Sequence, residues 1–398
     1  MKTKNIKADR LLNLPPYFFS EFDRKRDAVK AKGVDLIDMS IGDPDILPSA
    51  ELKRAFIKAL DNPKMHRYPP YKGTHSFCNA IASWYASKGI TINPQSEVWS
   101  LIGSKEGLVH LIIAMVNPGE VVLLQNPCFP CYRSAVILAG GIPVDMPITA
   151  ENNYLPDLKA IKPAIARQTK LMLINYPHNP TAATAPKEFY EDLVRFAKKY
   201  NISICQDAAY HEIYYNEPPV SFLSIKGAMD VGIEINSFSK TLNIAGWRIG
   251  WAAGNSRIIE ALGLLKTNID SGAFMAIQHA VAEVMVKDIN QSGREIKKTR
   301  DIYRRRRDLM VKGLREIGFK PNVPEATFYI WLPLPQKWKS SLEFSEYLLT
   351  NSYIHLTPGI GFGKYGEGYI RISLTSPEAV INKLIERLKK IPRAHLIG

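Results

Sequence analysis

Between residues 50 and 254, short continuous apolar runs alternate with stretches of helical period. Val121-Val-Leu-Leu124, Leu171-Met-Leu-Ile174, Ile202-Ser-Ile-Cys205 and Gly232-Ile-Glu-Ile-Asn236 are such runs. They fit strands buried on both faces of a mostly parallel sheet rather than strands with one wet face. Amphipathic segments between them, such as residues 186–200, supply the crossover helices that parallel neighbours require. From about residue 287 the texture changes to long helices and a few strands, around Thr327-Phe-Tyr-Ile-Trp331 and Tyr369-Ile-Arg-Ile-Ser373. The first fifty residues read as an arm: Leu14-Pro-Pro-Tyr17-Phe-Phe19, a helical segment, and a short strand over residues 36–40 ending at Ile41-Gly-Asp-Pro44. The pattern predicts an α/β chain in three parts. Residues 1–50 form an arm that joins the smaller domain, residues 51–286 a large domain, and residues 287–398 a smaller α+β domain.

Composition narrows the class. The chain has 398 residues, of which 46% are hydrophobic and 23% charged, the balance of a folded globular protein. The most apolar window, residues 107–124, is broken by His110, Asn117, Pro118 and Glu120, so no membrane span is expected. The first ten residues are charged and lack an apolar core, so no secretory signal is read and a cytoplasmic location is expected. Four cysteines are too few for a disulfide framework. Cys128 and Cys131 make a lone Cys-x-x-Cys without the second pair of a zinc site, so buried, inert thiols and no metal are expected.

The formal net charge of +14 raises the question of nucleic acid. The densest basic stretch, residues 297–308, is followed by Leu309, Met310, Leu314 and Ile317 at helical spacing, which reads as one amphipathic helix with a solvated basic face. No nucleic-acid module and no interleaved aromatics accompany it. A positive field serves small anionic substrates as well.

Ligands of open α/β sheets bind beyond the carboxyl ends of the strands. Here those ends carry Asn175-Tyr-Pro-His-Asn179-Pro-Thr181, then Gln206-Asp207-Ala-Ala-Tyr210, then Asn236-Ser237-Phe-Ser239-Lys240 with Gly246-Trp-Arg248 beyond. A lysine between two hydroxyls and an arginine suits Schiff-base chemistry beside a phosphate. Gly103-Ser104-Lys105 opens an apolar helix, so its amides face an anion. A buried Asp207 suits a protonated ring nitrogen. Tyr210 and Asn179 suit a ring hydroxylate, and Phe129 a ring face. Each of these residues alone is also an ordinary cap or core position; their order along successive strands is what points to one site.

These motifs resemble those of the class I/II aminotransferases, the aspartate aminotransferase family of pyridoxal-phosphate enzymes with fold type I. The resemblance runs from Pro15-Pro-Tyr17 to Arg371-Ile-Ser373, and its most specific stretch is Ser237-Phe-Ser-Lys240-Thr-Leu-Asn-Ile-Ala-Gly-Trp-Arg248-Ile-Gly250. It implies a large domain with a seven-stranded-type sheet flanked by helices, and a homodimer with shared active sites. Pyridoxal 5'-phosphate would be carried on Lys240, with Asp207 on the ring nitrogen and Tyr210 and Asn179 on the ring oxygen. Phe129 would stack on the ring. Ser104, Lys105, Ser237, Ser239 and Arg248 would hold the phosphate together with Tyr68 of the neighbouring subunit. Arg371 would bind the substrate α-carboxylate, with Gly42 lining it. One departure is Ala182 in Asn179-Pro-Thr-Ala182, where the family has Gly.

The implied reaction is ping-pong amino transfer between an amino acid and a 2-oxo acid, with 2-oxoglutarate and glutamate as one pair. Pro15-Pro-Tyr17-Phe, Asn268-Ile-Asp-Ser-Gly272 and Ala326-Thr-Phe-Tyr-Ile-Trp-Leu-Pro333 resemble the LL-diaminopimelate branch, with Tyr17 on the substrate. Tyr71 and Lys72 depart from it: that branch carries a Glu at the Tyr71 position, and a cation favours aspartate or glutamate instead. Aspartate aminotransferase and a β-lyase of sulfur amino acids are the alternatives on this fold. A cofactor-sensing domain fused to a DNA-binding module is not expected, since the short arm leaves no room for a helix-turn-helix.

Overall fold

The structure, a computed structural model, describes residues 6–15, 18–291 and 293–397. Among the described residues, twelve strands form three sheets: β1 (Ile37–Asp38), β2 (Val98–Leu101), β3 (Val121–Asn126), β4 (Ile142–Pro147), β5 (Thr169–Asn175), β6 (Ser203–Asp207), β7 (Gly232–Ser237), β8 (Gly250–Gly254), β9 (Tyr329–Pro333), β10 (Ile354–His355), β11 (Thr357–Pro358) and β12 (Tyr369–Ser373). The main sheet has the order β2-β8-β7-β6-β5-β3-β4. Only β8 runs against its neighbours; the others are parallel. The four apolar runs expected as strands are β3, β5, β6 and β7, and their side chains are almost wholly buried.

Two strands escape the hydrophobic pattern. β8, Gly-Trp-Ala-Ala-Gly, lacks branched side chains, yet it is fully buried between β2 and β7. β4 carries Pro143 and Pro147 and lies at the sheet edge, the place where a strand tolerates a missing N–H. Helices such as Ser104–Met115 and Lys187–Tyr200 connect the strands.

The other two sheets are small. β11, β12 and β9 form an antiparallel sheet, and β1 pairs in parallel with β10. One apolar cluster joins Ile37 and Met39 to Tyr303, Met310, Leu314, Tyr329, Ile354, Ile370 and Leu384. The strand expected over residues 36–40 is only β1.

The basic run needs a correction. It does form one helix, Arg294–Ile317, with a strong amphipathic pattern. Its arginines are not all solvated, however: Arg306 and Arg307 are buried. Arg306 forks onto Asp45, with Nη1–Oδ1 at 2.6 Å and Nη2–Oδ2 at 2.8 Å, and also donates to the Leu374 carbonyl. Arg307 donates to the Pro324 carbonyl and lies over the Tyr215 ring. Arg306 on the inner face of this helix therefore pins the segment after β1 to it, and Arg307 the segment before β9. Asp45→Ala strands the Arg306 charge, so urea unfolding should show a loss of about 2–4 kcal/mol. Asp45→Ala combined with Arg306→Met should recover part of it; equal losses in both variants would contradict the pairing.

Candidate active site

Strand pairing brings the polar residues together. Gly250 pairs with Leu101 on one side and with Ser237 on the other. Helix Ser104–Met115 starts three residues after Leu101, and Arg248 stands two residues before Gly250. Ser104, Lys105, Ser237, Ser239 and Arg248 consequently meet at one edge and line a common cavity. Asn175 pairs with Asp207 across β5 and β6, which adds Asn179, Asp207 and Tyr210 to the same cavity. Its volume is about 380 Å³, and Gly42, Phe129, Lys240, Tyr329, Phe362 and Arg371 also line it.

At the cavity's hydroxyl-rich end, Gly103 adopts φ +84°, and a Cβ there would stand 2.2 Å from the Arg248 guanidinium. Only glycine lets the loop and the guanidinium approach this closely. Arg248 itself sits in the left-handed region and donates to the Ala245 carbonyl at 2.8 Å. Ser237 caps the short helix Phe238–Thr241, its hydroxyl accepting from Ser239 N at 3.1 Å. Three hydroxyls, an ammonium, a guanidinium and a helix N-terminus form the donor set for a phosphate dianion.

Lys240 follows on that helix. Its ammonium donates to the Gly42 carbonyl at 2.7 Å. Burial, with help from Arg248 and Arg371 and against the pull of Asp43, lowers its pKa to about 8. The amine is thus far easier to deprotonate than a surface lysine. Gly42 cannot carry a side chain, since a Cβ would meet the Tyr329 hydroxyl at 1.9 Å.

Asp207 shows the opposite shift. It is 6% exposed, and burial raises its pKa to about 6 against the pull of its hydrogen bonds. Those bonds come from the Tyr132 hydroxyl at 2.6 Å and the Ala209 amide at 3.1 Å. Neither donor is charged, so the carboxylate suits a cationic ring nitrogen. The donor set at one end and this carboxylate at the other fit pyridoxal phosphate. Tyr132 is not marked by any local signal in the sequence; in Cys131-Tyr132-Arg133 it looks like core. The same holds for Tyr329, whose hydroxyl bonds that of Tyr210 at 2.9 Å.

Arg371, on β12, is 6% exposed. Nη1 donates to Asn179 Oδ1 at 2.8 Å and Nη2 to the Ser40 carbonyl at 2.6 Å, while Nε has no partner. The guanidinium is sandwiched by Tyr329 and Phe362 at 4.3 and 4.7 Å. Asn179 is itself oriented from behind, its amide donating to Asn175 Oδ1 at 2.8 Å. Ala182, which replaces the family's Gly, is buried at φ +63°. Glycine takes that conformation without strain, so alanine here stores backbone strain beside Asn179.

Behind the phosphate-type cradle, Lys266 is 1% exposed and bonds Glu106 Oε1 at 2.7 Å and Asp270 Oδ2 at 2.8 Å. Glu106 also accepts from the Ile102 amide, and Asp270 from Gly272. His110 pairs with Glu106. Glu106, His110 and Asp270 could group around a metal, but the Lys266 ammonium already bonds both acids.

Two residues that the sequence points to lie elsewhere. Tyr68 is 87% exposed and does not line this cavity. Lys72 gives its ammonium to the Gln95 carbonyl, outside the cavity lining. Tyr17 lies outside the described residues. The four cysteines are buried and free, and burial raises Cys78 and Cys131 to about 11 and Cys128 to about 12, so they are inert thiols.

A parallel-sheet fold with a cavity built around a desolvated lysine, a buried aspartate and a phosphate-type cradle defines the fold type I transferase class. The family profile of aminotransferase class I and II matches residues 34–388, and the chain belongs to that family and is a transaminase. It is 49% identical over 386 residues to an LL-diaminopimelate aminotransferase of Halothermothrix orenii, covering 96% of this chain and 97% of that one. It is 46% identical to the protein of that name from Aquifex aeolicus, covering 96% and 98%. Among solved structures, substrate-bound BacF of Bacillus subtilis superposes with a TM-score of 0.92 at 34% identity, covering 98% of both chains. A mutant aspartate aminotransferase of Thermus thermophilus gives 0.91 at 26% identity, covering 98% and 100%. No helix among the described residues is long and apolar enough to cross a membrane.

Asp207→Asn separates the two states of the site. Without cofactor, a carboxylate whose pKa is raised on folding loses stability as pH rises from about 4 through 6. The Asn variant should lack that loss and gain on the order of 1–3 kcal/mol at pH 7. Added pyridoxal phosphate should then stabilise it less than the parent. Thermal shifts with and without cofactor check both signs.

Proposed function

We propose that this transaminase uses pyridoxal 5'-phosphate to exchange the amino group of LL-diaminopimelate with 2-oxoglutarate, and that it works as a homodimer. The observation that carries the substrate is near-full-length identity of 43–49% to proteins named LL-diaminopimelate aminotransferase. The cavity's donor set supports the cofactor. Support for the dimer comes from Tyr68, exposed beside the Pro69-Pro70-Tyr71 segment that packs on Gly272. In this reading, Tyr68 of the partner subunit completes the phosphate site. We also read residues 1–50 as an arm, 51–286 as a large domain and 287–398 as a small one; the shared core of Ile37 and Met39 with the 303–396 elements supports the arm's place.

When bound, the cofactor supplies an electron sink conjugated to the substrate Cα. The chain supplies the rest. Ser104, Lys105, Ser237, Ser239 and Arg248 would hold the phosphate. Asp207, oriented by Tyr132, would keep a proton on the ring nitrogen. Tyr210 and Asn179 would bond the ring oxygen, and Phe129 would cover one face. Arg371 would receive the α-carboxylate with its unpartnered Nε and remaining N–H groups, a charge-assisted pair at a buried guanidinium. Lys240 would hold the cofactor, and its amine would serve as the base for the proton on the substrate Cα. Its lowered pKa provides the free base near neutral pH.

Steady-state rates with 2-oxoglutarate should show parallel double-reciprocal lines and a higher kcat/KM for LL-diaminopimelate than for aspartate; the reverse order would make aspartate the donor. Lys240→Ala should abolish turnover and borohydride trapping of the cofactor on the protein. Arg371→Lys keeps the charge but loses the fork, so KM should rise for every α-carboxylate substrate by about tenfold or more. An unchanged KM for both glutamate and diaminopimelate would remove Arg371 from this role.

A further inference from the structure

A diamino acid brings a second ammonium to the cavity, and a buried ammonium needs an anion. The segment after Tyr68 offers none. Tyr71 is 49% exposed, and Lys72 is a cation tied to Gln95. Among the described residues lining the cavity, the carboxylates are Asp207 and Asp23. Asp207 serves the ring nitrogen in the function proposed above. The lining cations Lys105, Arg248 and Arg371 answer to the phosphate and the α-carboxylate. Asp23 is left without a task at the α-end.

Asp23 lies on helix Phe18–Lys30 beside Phe22, which also lines the cavity. Its side chain is 38% exposed, so it stands at the cavity's open end while Asp207 lies deep. Phe22 stacks on His355 with centroids 4.3 Å apart, and Lys25 pairs with Glu346; both contacts pin the helix to the elements around β10. Asp23 Oδ1 accepts from Arg26 Nη1 at 3.0 Å. A carboxylate has about four acceptor positions, so this bond orients the group and leaves capacity for an ammonium.

The orientation is anchored to the α-carboxylate site. Arg26 Nη1 faces Asp38 Oδ2 at 3.6 Å. Asp38 Oδ1 accepts from the Ser40 amide and hydroxyl at 3.0 and 2.6 Å. The Ser40 carbonyl in turn receives Arg371 Nη2. One polar chain, Asp23–Arg26–Asp38–Ser40–Arg371, therefore runs from an acid at the mouth to the guanidinium at the α-end.

We propose that Asp23 receives the distal ammonium of the diamino acid substrate, with Arg26 as its positioning residue. The proposal rests on the diaminopimelate reading of this site. The test compares Asp23→Asn and Asp23→Glu with the parent holoenzyme, measuring kcat and KM for diaminopimelate and glutamate in separate half-reactions. Asp23→Asn should raise KM for diaminopimelate about five- to tenfold with a smaller effect on kcat. KM for glutamate, whose distal end carries a carboxylate and no ammonium, should fall, because a like charge has been removed without losing an ion pair. Asp23→Glu should recover part of the diaminopimelate affinity. Calorimetric binding of diaminopimelate in a Lys240→Ala background, which cannot turn it over, should weaken by the same factor. A parent active on diaminopimelate whose Asp23→Asn variant keeps its KM, or shifts both substrates alike, overturns the role of Asp23. A parent inactive on diaminopimelate overturns the underlying reading and the proposal with it.

Discussion

Everything at the site hangs on one buried guanidinium. Arg371 comes from the antiparallel sheet of β9, β11 and β12; its partner Asn179 follows β5 of the main sheet, and its partner Ser40 follows β1 of the arm. Three separately hydrogen-bonded sheets are thus tied through a single side chain. A charge this well buried is tolerable only with several acceptors in good geometry, and here two are supplied with aromatic faces on either side. The Nε donor left unpartnered is the chemical opening: the fold satisfies the group to the point of holding it still and no further.

Asp207 and Lys240 exploit burial in opposite directions. Desolvation disfavours the charged form of each, so the acid becomes hard to ionise and the base easy to deprotonate. Left alone, both shifts cost stability. They suit a ligand with a cationic ring nitrogen and an electrophilic carbon, which explains why the same low-dielectric cavity can tune two groups for different tasks.

Much of this is legible in the sequence. Continuous apolar runs mark β3, β5, β6 and β7 because strands covered on both faces need no polar alternation. The chemistry-bearing residues can be found because they fall at the ends of those strands. What escapes follows from tertiary context. β8 is made of small residues whose burial depends on neighbours, not on hydrophobicity. Arg306 and Arg307 look solvated in a basic run, but the inner face of their helix meets Asp45 and the Pro324 carbonyl. Tyr132 and Tyr329 are aromatic residues among others: Tyr132 follows β3 yet bonds Asp207 at the end of β6, and Tyr329 on β9 bonds Tyr210 beyond β6, so only the fold gives their hydroxyls partners. Asp23 sits in a charged helix where no local pattern sets one acid apart.

The acid in the first turn of helix Ser104–Met115 poses a problem that Lys266 resolves. Glu106 favours the helix electrostatically, since a negative side chain complements the positive end of the helix. The same charge stands one turn behind the cradle and would repel an arriving dianion. With a solvent-shielded ammonium shared between Glu106 and Asp270, the acid's charge is partly offset from behind, and the front of the turn presents its amides and Lys105. The helix keeps its stabilising acid while the incoming anion meets a surface on which that charge is weakened.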